Sequence, residues 1–321
     1  MLLPRLAQTL LVATLVLVAW GGTVTATNSG LACGDHWPAC FEVRRAEAGE
    51  QVEPTMMPRM EGGVLIEHGH RALAATIGLG AIVLVLLAYR RRPVDRGLRR
   101  TAVVALALVI AQGLLGALTV RLRLPAAVTT SHLAFSMAFT ASLVVLIAGL
   151  RPSAGHAVAV PPGTRRWGLW AVGLVFVQLV LGGIVRHTGS APVCTAQFPL
   201  CNGHLWPATL EQWIHVTHRT MAFVVAGVVL LASVRAFRAQ GAARRFAIGA
   251  VALVVVQIGV GIITVLTGIR PVWATAHLLG GALLFVDVLG MWLLLGPARA
   301  GAPASAPAVR EPSAILEGTP A

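Results

Sequence analysis

Four histidines and one glutamate are the residues of this 321-residue chain best suited to chemistry: His70, His132, His218, His277 and Glu67. Each histidine lies inside a long apolar run, where an ionisable side chain is costly and by default marks a functional site. They occur in matched segments, Glu67-His-Gly-His70-Arg71 against His215-Val-Thr-His218-Arg219, and Thr130-Ser-His132-Leu133 against Thr275-Ala-His277-Leu278. A lone intramembrane imidazole is more often a hydrogen-bond partner between helices than a ligand. Four of them at one expected depth, about 3–8 Å down their spans, point further, because two imidazoles on facing helices are what axial ligation of a haem iron requires. The expected pairs are His70 with His132 and His218 with His277, one haem to each.

Arg71 and Arg219 directly follow a histidine near a span end. A planar guanidinium there can pair with a haem propionate or snorkel to lipid headgroups, and both readings stay open. The four cysteines form two Cys-x6-Cys pairs, Cys33/Cys40 and Cys194/Cys201, each with an aromatic-Pro dipeptide before its second cysteine, Trp37-Pro38 and Phe198-Pro199. Even number, repetition and an outer, oxidising face favour two local disulfides, each closing a lid over one bundle, above reduced thiols. His36 and His204 keep a metal site as the minority alternative. An exposed disulfide is also the labile kind, which leaves a redox role open. Asp287, in the last span, is assigned no role.

The elements that must position these residues follow from composition. At 56% hydrophobic and 12% charged, with a mean hydropathy of +0.79, the chain is too apolar for a soluble domain of its length. Spans need about 20 apolar residues, and eight are expected near Leu6–Thr27, Gly69–Tyr89, Thr101–Val120, Val128–Leu150, Trp167–His187, Ile214–Arg235, Phe246–Leu266 and Val272–Leu295. The net charge of +13 is carried by arginine alone, the chain having no lysine. A basic balance can mean nucleic acid; here the arginines cluster in the breaks after spans two, four and six (Arg90–Arg100, Arg151–Arg166, Arg235–Arg245), so the expected partner is membrane lipid and not nucleic acid. The positive-inside rule makes those breaks cytoplasmic, the acidic segment between spans one and two external, and both termini cytoplasmic. Arg5 before an apolar stretch with small residues near Ala26 resembles a secretory leader, but the segment has a full-length counterpart later in the chain and is read as retained.

That counterpart is part of an internal repeat. Gly21-Gly22-Thr-Val24 through Cys33 and Cys40 matches Gly182-Gly183-Ile-Val185 through Cys194 and Cys201 at an offset of 161; the His70 segment matches that of His218 at 148; Gln112, Thr119, Thr130 and His132 match Gln257, Thr264, Thr275 and His277 at 145. Four spans duplicated into eight predict an all-α integral membrane protein of two four-helix bundles, residues 1–150 and 167–296, joined by a cytoplasmic linker at 151–166 and followed by an Ala/Pro-rich tail at 297–321. Gly113-x-x-Gly116, Gly182-Gly183 and Gly259-x-Gly261 allow close helix approach or flat contact with a macrocycle.

In this order, the two Cys-x6-Cys loops, Glu67-x-x-His70-Arg71, His218-Arg219, Ser-His132-Leu and Ala-His277-Leu resemble the bacterial eight-span haem A synthases with two cysteine pairs, across all eight spans. The resemblance implies oxidation of one methyl of haem O to the formyl group of haem A, for terminal oxidases in the cell membrane. It further implies substrate haem at His70 and His132, a haem b at His218 and His277, and an essential carboxylate at Glu67. A haem O synthase (protohaem farnesyltransferase) is the implied partner; the electron donor is not named by the sequence, and a homo-oligomer is left open. Two features depart from the pattern: Thr25 stands where span five has Arg186, and the acidic insert around Arg44–Glu61 has no second copy. The alternatives are a quinol-oxidising b-type cytochrome, a non-catalytic haem-binding assembly protein, and a transporter without haem. A b-type electron carrier has no need of Glu67, whose alternative reading is a first-turn acid favoured by the helix dipole. His215 stands at the place of Glu67 in the second half.

Overall fold

A computed structural model describes residues 2–34, 62–150, 160–194, 197–239 and 241–295. Cys40, His36, Trp37-Pro38, the acidic insert, most of the linker and the tail lie outside the described residues. Among the described residues are eight helices long and apolar enough to cross a membrane. They are α1 (Leu2–Ala26), α2 (Gly63–Arg90), α3 (Arg96–Arg121), α4 (Ala126–Gly149), α5 (Thr164–His187), α6 (Leu210–Ala236), α7 (Ala242–Leu266) and α8 (Pro271–Leu294). The chain is thus an all-helical, multi-pass membrane protein.

Most helices outrun the apolar stretches at their ends, because a polar first turn can continue a helix that hydropathy no longer signals. The largest difference is at α2, which starts at Gly63 rather than near Gly69. Gly62, at φ 86°, turns the chain into it. Glu67 therefore stands in the second turn, and no acidic residue occupies the first, so the helix-dipole reading of Glu67 does not hold. Asp95 caps α3 by accepting the Leu98 amide at 2.9 Å, Thr209 caps α6 by accepting that of Gln212, and Pro271 opens α8 with the fixed φ that a first helical residue needs.

Helices α1–α4 pack as one ring and α5–α8 as another, each first helix also touching its fourth. The rings meet through α1, α4, α5 and α8, with α2, α3, α6 and α7 outside. Lipid tails are as apolar as leucine, so close packing rather than hydrophobicity drives such association. Small residues permit it: Ala7, Ala81, Ala102, Ala105, Ala171, Ala232, Ala247, Ala250 and Ala282 are all fully buried. Between the rings the contact is made twice by equivalent residues. Gly22 of α1 sits on Leu278 and Thr275 of α8, and Gly183 of α5 on Leu133 and Thr130 of α4.

The repeat also reproduces its turns. Leu124 and Ile269, just ahead of α4 and α8, both have left-handed backbone, φ 63° and 60°, a conformation that bulky residues rarely adopt. Their amides donate to Thr119 and Thr264 carbonyls at 2.7 and 2.8 Å, so the turns into α4 and α8 are closed by the same hydrogen bond.

Candidate haem sites and their lids

Each histidine is the seventh to ninth residue of its helix, which at 1.5 Å per residue puts it about 10 Å in, somewhat deeper than the apolar stretches suggest. All four meet a glycine of the preceding helix. The Cβ positions of Gly21, Gly116, Gly182 and Gly261 lie 3.1, 3.2, 3.1 and 2.8 Å from the Cε1 atoms of His70, His132, His218 and His277. Any larger residue would push the ring away, so the small residues on the odd helices serve the histidines directly. At Gly113 and Gly259, by contrast, a Cβ would meet nothing within 4 Å.

The His218 and His277 rings lie with centroids 6.3 Å apart and planes at 85°, nearly perpendicular. At this separation His218 and His277 are close enough that the two imidazoles would hold one haem iron between them. The Nδ1 atoms of His70 and His132 are both buried without a hydrogen-bond partner. Two neutral nitrogen donors in an apolar bundle suit a planar iron macrocycle better than a bare ion, and among the described residues no cluster of three or more His, Cys, Asp or Glu forms a closed metal site. The donor set fits haem.

Two side chains hold the second pair that the sequence left without a role. Gln178 of α5 puts its amide nitrogen 3.2 Å from His218 Nδ1 and donates to the His218 carbonyl at 3.0 Å. Gln257 of α7 does the same to His277, at 3.1 and 2.6 Å. Gln257 was visible as a repeat identity with Gln112; nothing in the sequence marked Gln178, whose counterpart 161 residues earlier is Leu17.

The outer ends are built differently in the two halves. Glu67 is buried, 3% exposed, and both of its oxygens are engaged: Oε2 accepts the Cys33 amide at 2.7 Å and Oε1 pairs with Arg71 one turn on, at 2.5 Å. His215, equally buried, bonds through Nδ1 to the Ser190 carbonyl at 3.0 Å. Arg219 donates to the carbonyls of Cys194 and Leu200 at 2.7 and 3.2 Å and lies over the Phe198 ring. Both arginines are therefore turned inward to protein groups rather than snorkelling to the membrane surface. Cys194 and Cys201 are joined in a disulfide; Cys33 is disulfide-bonded, while its expected mate Cys40 lies outside the described residues. Asp287 packs against Gly249 of α7 with one carboxylate oxygen buried and unpartnered.

The sequence pattern of the COX15-CtaA family, described as cytochrome oxidase assembly protein, matches residues 4–289. Curated relatives carry the name haem A synthase. That of Symbiobacterium thermophilum is 34% identical over 77% of this chain and 80% of its own length. Those of Halalkalibacterium halodurans and Shouchella clausii are each 30% identical, over 89% and 83% of this chain and 94% and 87% of theirs.

Proposed function

The chain belongs to the haem A synthase family, and from that premise we propose how its two bundles divide the reaction. It is a membrane oxidoreductase of haem A biosynthesis, acting on haem O. The N-terminal bundle takes the substrate between His70 and His132, and the C-terminal bundle keeps a haem b between His218 and His277. Bound there, haem b supplies a one-electron redox centre.

The 6.3 Å approach of His218 and His277 carries this reading, together with a charge difference between the halves. Conversion of a methyl group and a water into a formyl group releases four protons and four electrons, so a group beside the carbon must accept a proton or offset positive charge. Glu67 stands three residues before His70 on the same helix, so the two share a face. Its carboxylate, paired with Arg71, would be the group to do either. His215 offers no carboxylate in the second bundle, where an electron-transfer haem needs none. The glycines opposite the four imidazoles fix ring positions, and Glu67, His215 and Arg219 tie the segments that follow α1 and α5 to α2 and α6.

The arginine-rich breaks support an orientation with the lids on the outer face of the cell membrane and both termini in the cytoplasm. A haem O synthase is the natural supplier of the substrate. The test is haem analysis of membranes after co-expression with a haem O synthase. Haem A in addition to haem b is expected; bound haem b without haem A would leave an electron carrier, and absence of any haem would leave an assembly factor or transporter.

A further inference from the structure

We propose that Trp20 is a positioning residue of the N-terminal bundle: its indole grips the single turn of α2 that carries both Glu67 and His70, and so fixes the carboxylate relative to the substrate haem. The proposal rests on the reading that Glu67 and His70 serve the substrate.

Adjacent residues of α1 meet adjacent residues of α2. Gly21 stands against His70, and Trp20 lies on Gly69, where a Cβ would come within 2.5, 3.0 and 3.4 Å of three carbons of the indole. The same indole donates its Nε1–H to the Ile66 carbonyl at 2.8 Å. Ile66, Gly69 and His70 are spaced i, i+3 and i+4, so they form one face of α2, and in an α-helix the Ile66 carbonyl is also the acceptor for the His70 amide. Trp20 thus holds this turn at two points, the carbonyl just before Glu67 and the residue just before His70. Glycine is a poor helix former because it leaves the backbone free, and Gly69 sits between the two residues whose relative place the chemistry depends on. Cys33 and Arg71 hold the carboxylate itself; Trp20 holds the backbone that carries it.

The second bundle separates this grip from the task of placing a histidine. At the repeat offsets Leu181 stands for Trp20, Ile214 for Ile66 and Thr217 for Gly69. Leu181 has no hydrogen to donate, and Thr217 fills the space that Gly69 leaves to a ring. Yet the Cβ position of Gly182 lies 3.1 Å from His218 Cε1, as that of Gly21 does from His70 Cε1. The approach of the first helix to the histidine is therefore kept without an indole. The tryptophan, and the glycine that admits it, occur in the half whose turn carries Glu67 and are absent from the half that carries His215.

The experiment uses the full chain in membranes with a co-expressed haem O synthase, and reads extracted haems together with haem b per molecule of protein. Trp20→Phe keeps a ring on Gly69 but removes the N–H. Trp20→Leu combined with Gly69→Thr rebuilds the packing of the second bundle and also removes the N–H. Both should keep haem b, while haem A per haem b falls about 10-fold or more, because a small misplacement of a reacting group costs up to about 10²-fold. Partly oxidised haem should accumulate in both, a change in product ratio that loss of folded protein would not cause. Wild-type haem A output from Trp20→Phe, or from the double variant, would overturn the proposal and leave the indole a packing group. A fall in haem A that only follows a fall in haem b in both variants would overturn it as well. Glu67→Gln, made alongside, keeps the premise separate: normal haem A output from that variant would remove Glu67 from the chemistry whatever the Trp20 variants do.

Discussion

One turn before its first histidine, the N-terminal bundle buries a carboxylate that accepts the Cys33 amide, while the C-terminal bundle buries an imidazole that bonds the Ser190 carbonyl. Both ties fasten the segment after an odd helix to the next even helix, so the mechanical task survived duplication. Its chemistry was inverted, from acceptor on an N–H to donor on a carbonyl. The following arginines diverged in step. Arg71 has a carboxylate to neutralise and pairs with it; Arg219 has none and spends its donors on the lid carbonyls of Cys194 and Leu200. What distinguishes the halves is therefore not whether that segment is tied but whether the tie one turn before the histidine is a buried carboxylate or an imidazole. That is the difference expected between a bundle where bonds to hydrogen are broken and one where electrons pass.

The comparison breaks most severely if the histidine pairs are interchangeable. His277→Ala should remove nearly all bound haem b and abolish haem A formation, read from pyridine haemochrome spectra and extracted haems. A spectrum and turnover like those of the wild type would make the rings at 6.3 Å a packing contact only.

Next in size is Glu67→Gln. The amide keeps an oxygen for the Cys33 N–H but loses the charge that Arg71 balances, so the lid tie survives and the chemistry does not. Haem A output should fall by about 10²–10⁴, the usual range for a general acid or base, with haem b retained and haem O or a partly oxidised haem accumulating. His215→Gln, at the equivalent place, should leave haem A output within a few-fold of normal. Equal losses in the two variants would assign both residues to the lids alone.

The disulfide is a smaller matter. Cys194→Ser opens a loop that Arg219 and His215 still hold at Cys194 and Ser190, so the loss should fall at the lower end of the ~2–4 kcal/mol typical of a disulfide. It should appear as a lower thermal midpoint with haem b content intact. Loss of haem b on this change would make the lid part of the haem site.

Much of this architecture could be read from residue types. Eight spans follow from apolarity, and constant offsets reveal the duplication because helix lengths were preserved. The histidines stand out because an ionisable group in lipid is costly. What could not be read is everything that depends on a backbone partner: the carbonyls taken by Arg219, the amide taken by Glu67, the histidine carbonyls taken by Gln178 and Gln257. Every residue has a carbonyl, so none of them leaves a mark in the sequence. The start of α2 was obscured for a related reason, since Glu67, His68 and His70 suppress hydropathy in a segment that the lid and Arg71 nonetheless hold in helical form.

The smallest effect concerns the one arginine that the repeat lacks. Arg186 Nη2 donates to the carbonyl of Thr25 at 2.6 Å, so it crosses between the bundles to the very residue that occupies its place in the first copy, while Thr25 turns its own hydroxyl back to the Gly21 carbonyl. An arginine at both positions would bring two guanidiniums to one spot in a low-dielectric interface, where like charges repel strongly. One arginine bridges the interface; a second would wedge it. Arg186→Leu should therefore lower stability by about 1–2 kcal/mol, since a hydrogen bond from a charged group is worth roughly 1.5–3 kcal/mol and this one is only part-buried, seen as a small drop in thermal midpoint. Thr25→Arg should be worse than Arg186→Leu although it removes no contact to the partner bundle. The exchange Thr25→Arg with Arg186→Thr should recover most of that loss, because the bridge can be rebuilt from the other side. An exchange variant no more stable than Thr25→Arg alone would show that the surroundings of Arg186, including the bond of His187 to Thr130 at 3.2 Å, and not charge balance across the repeat, decide which copy carries the arginine.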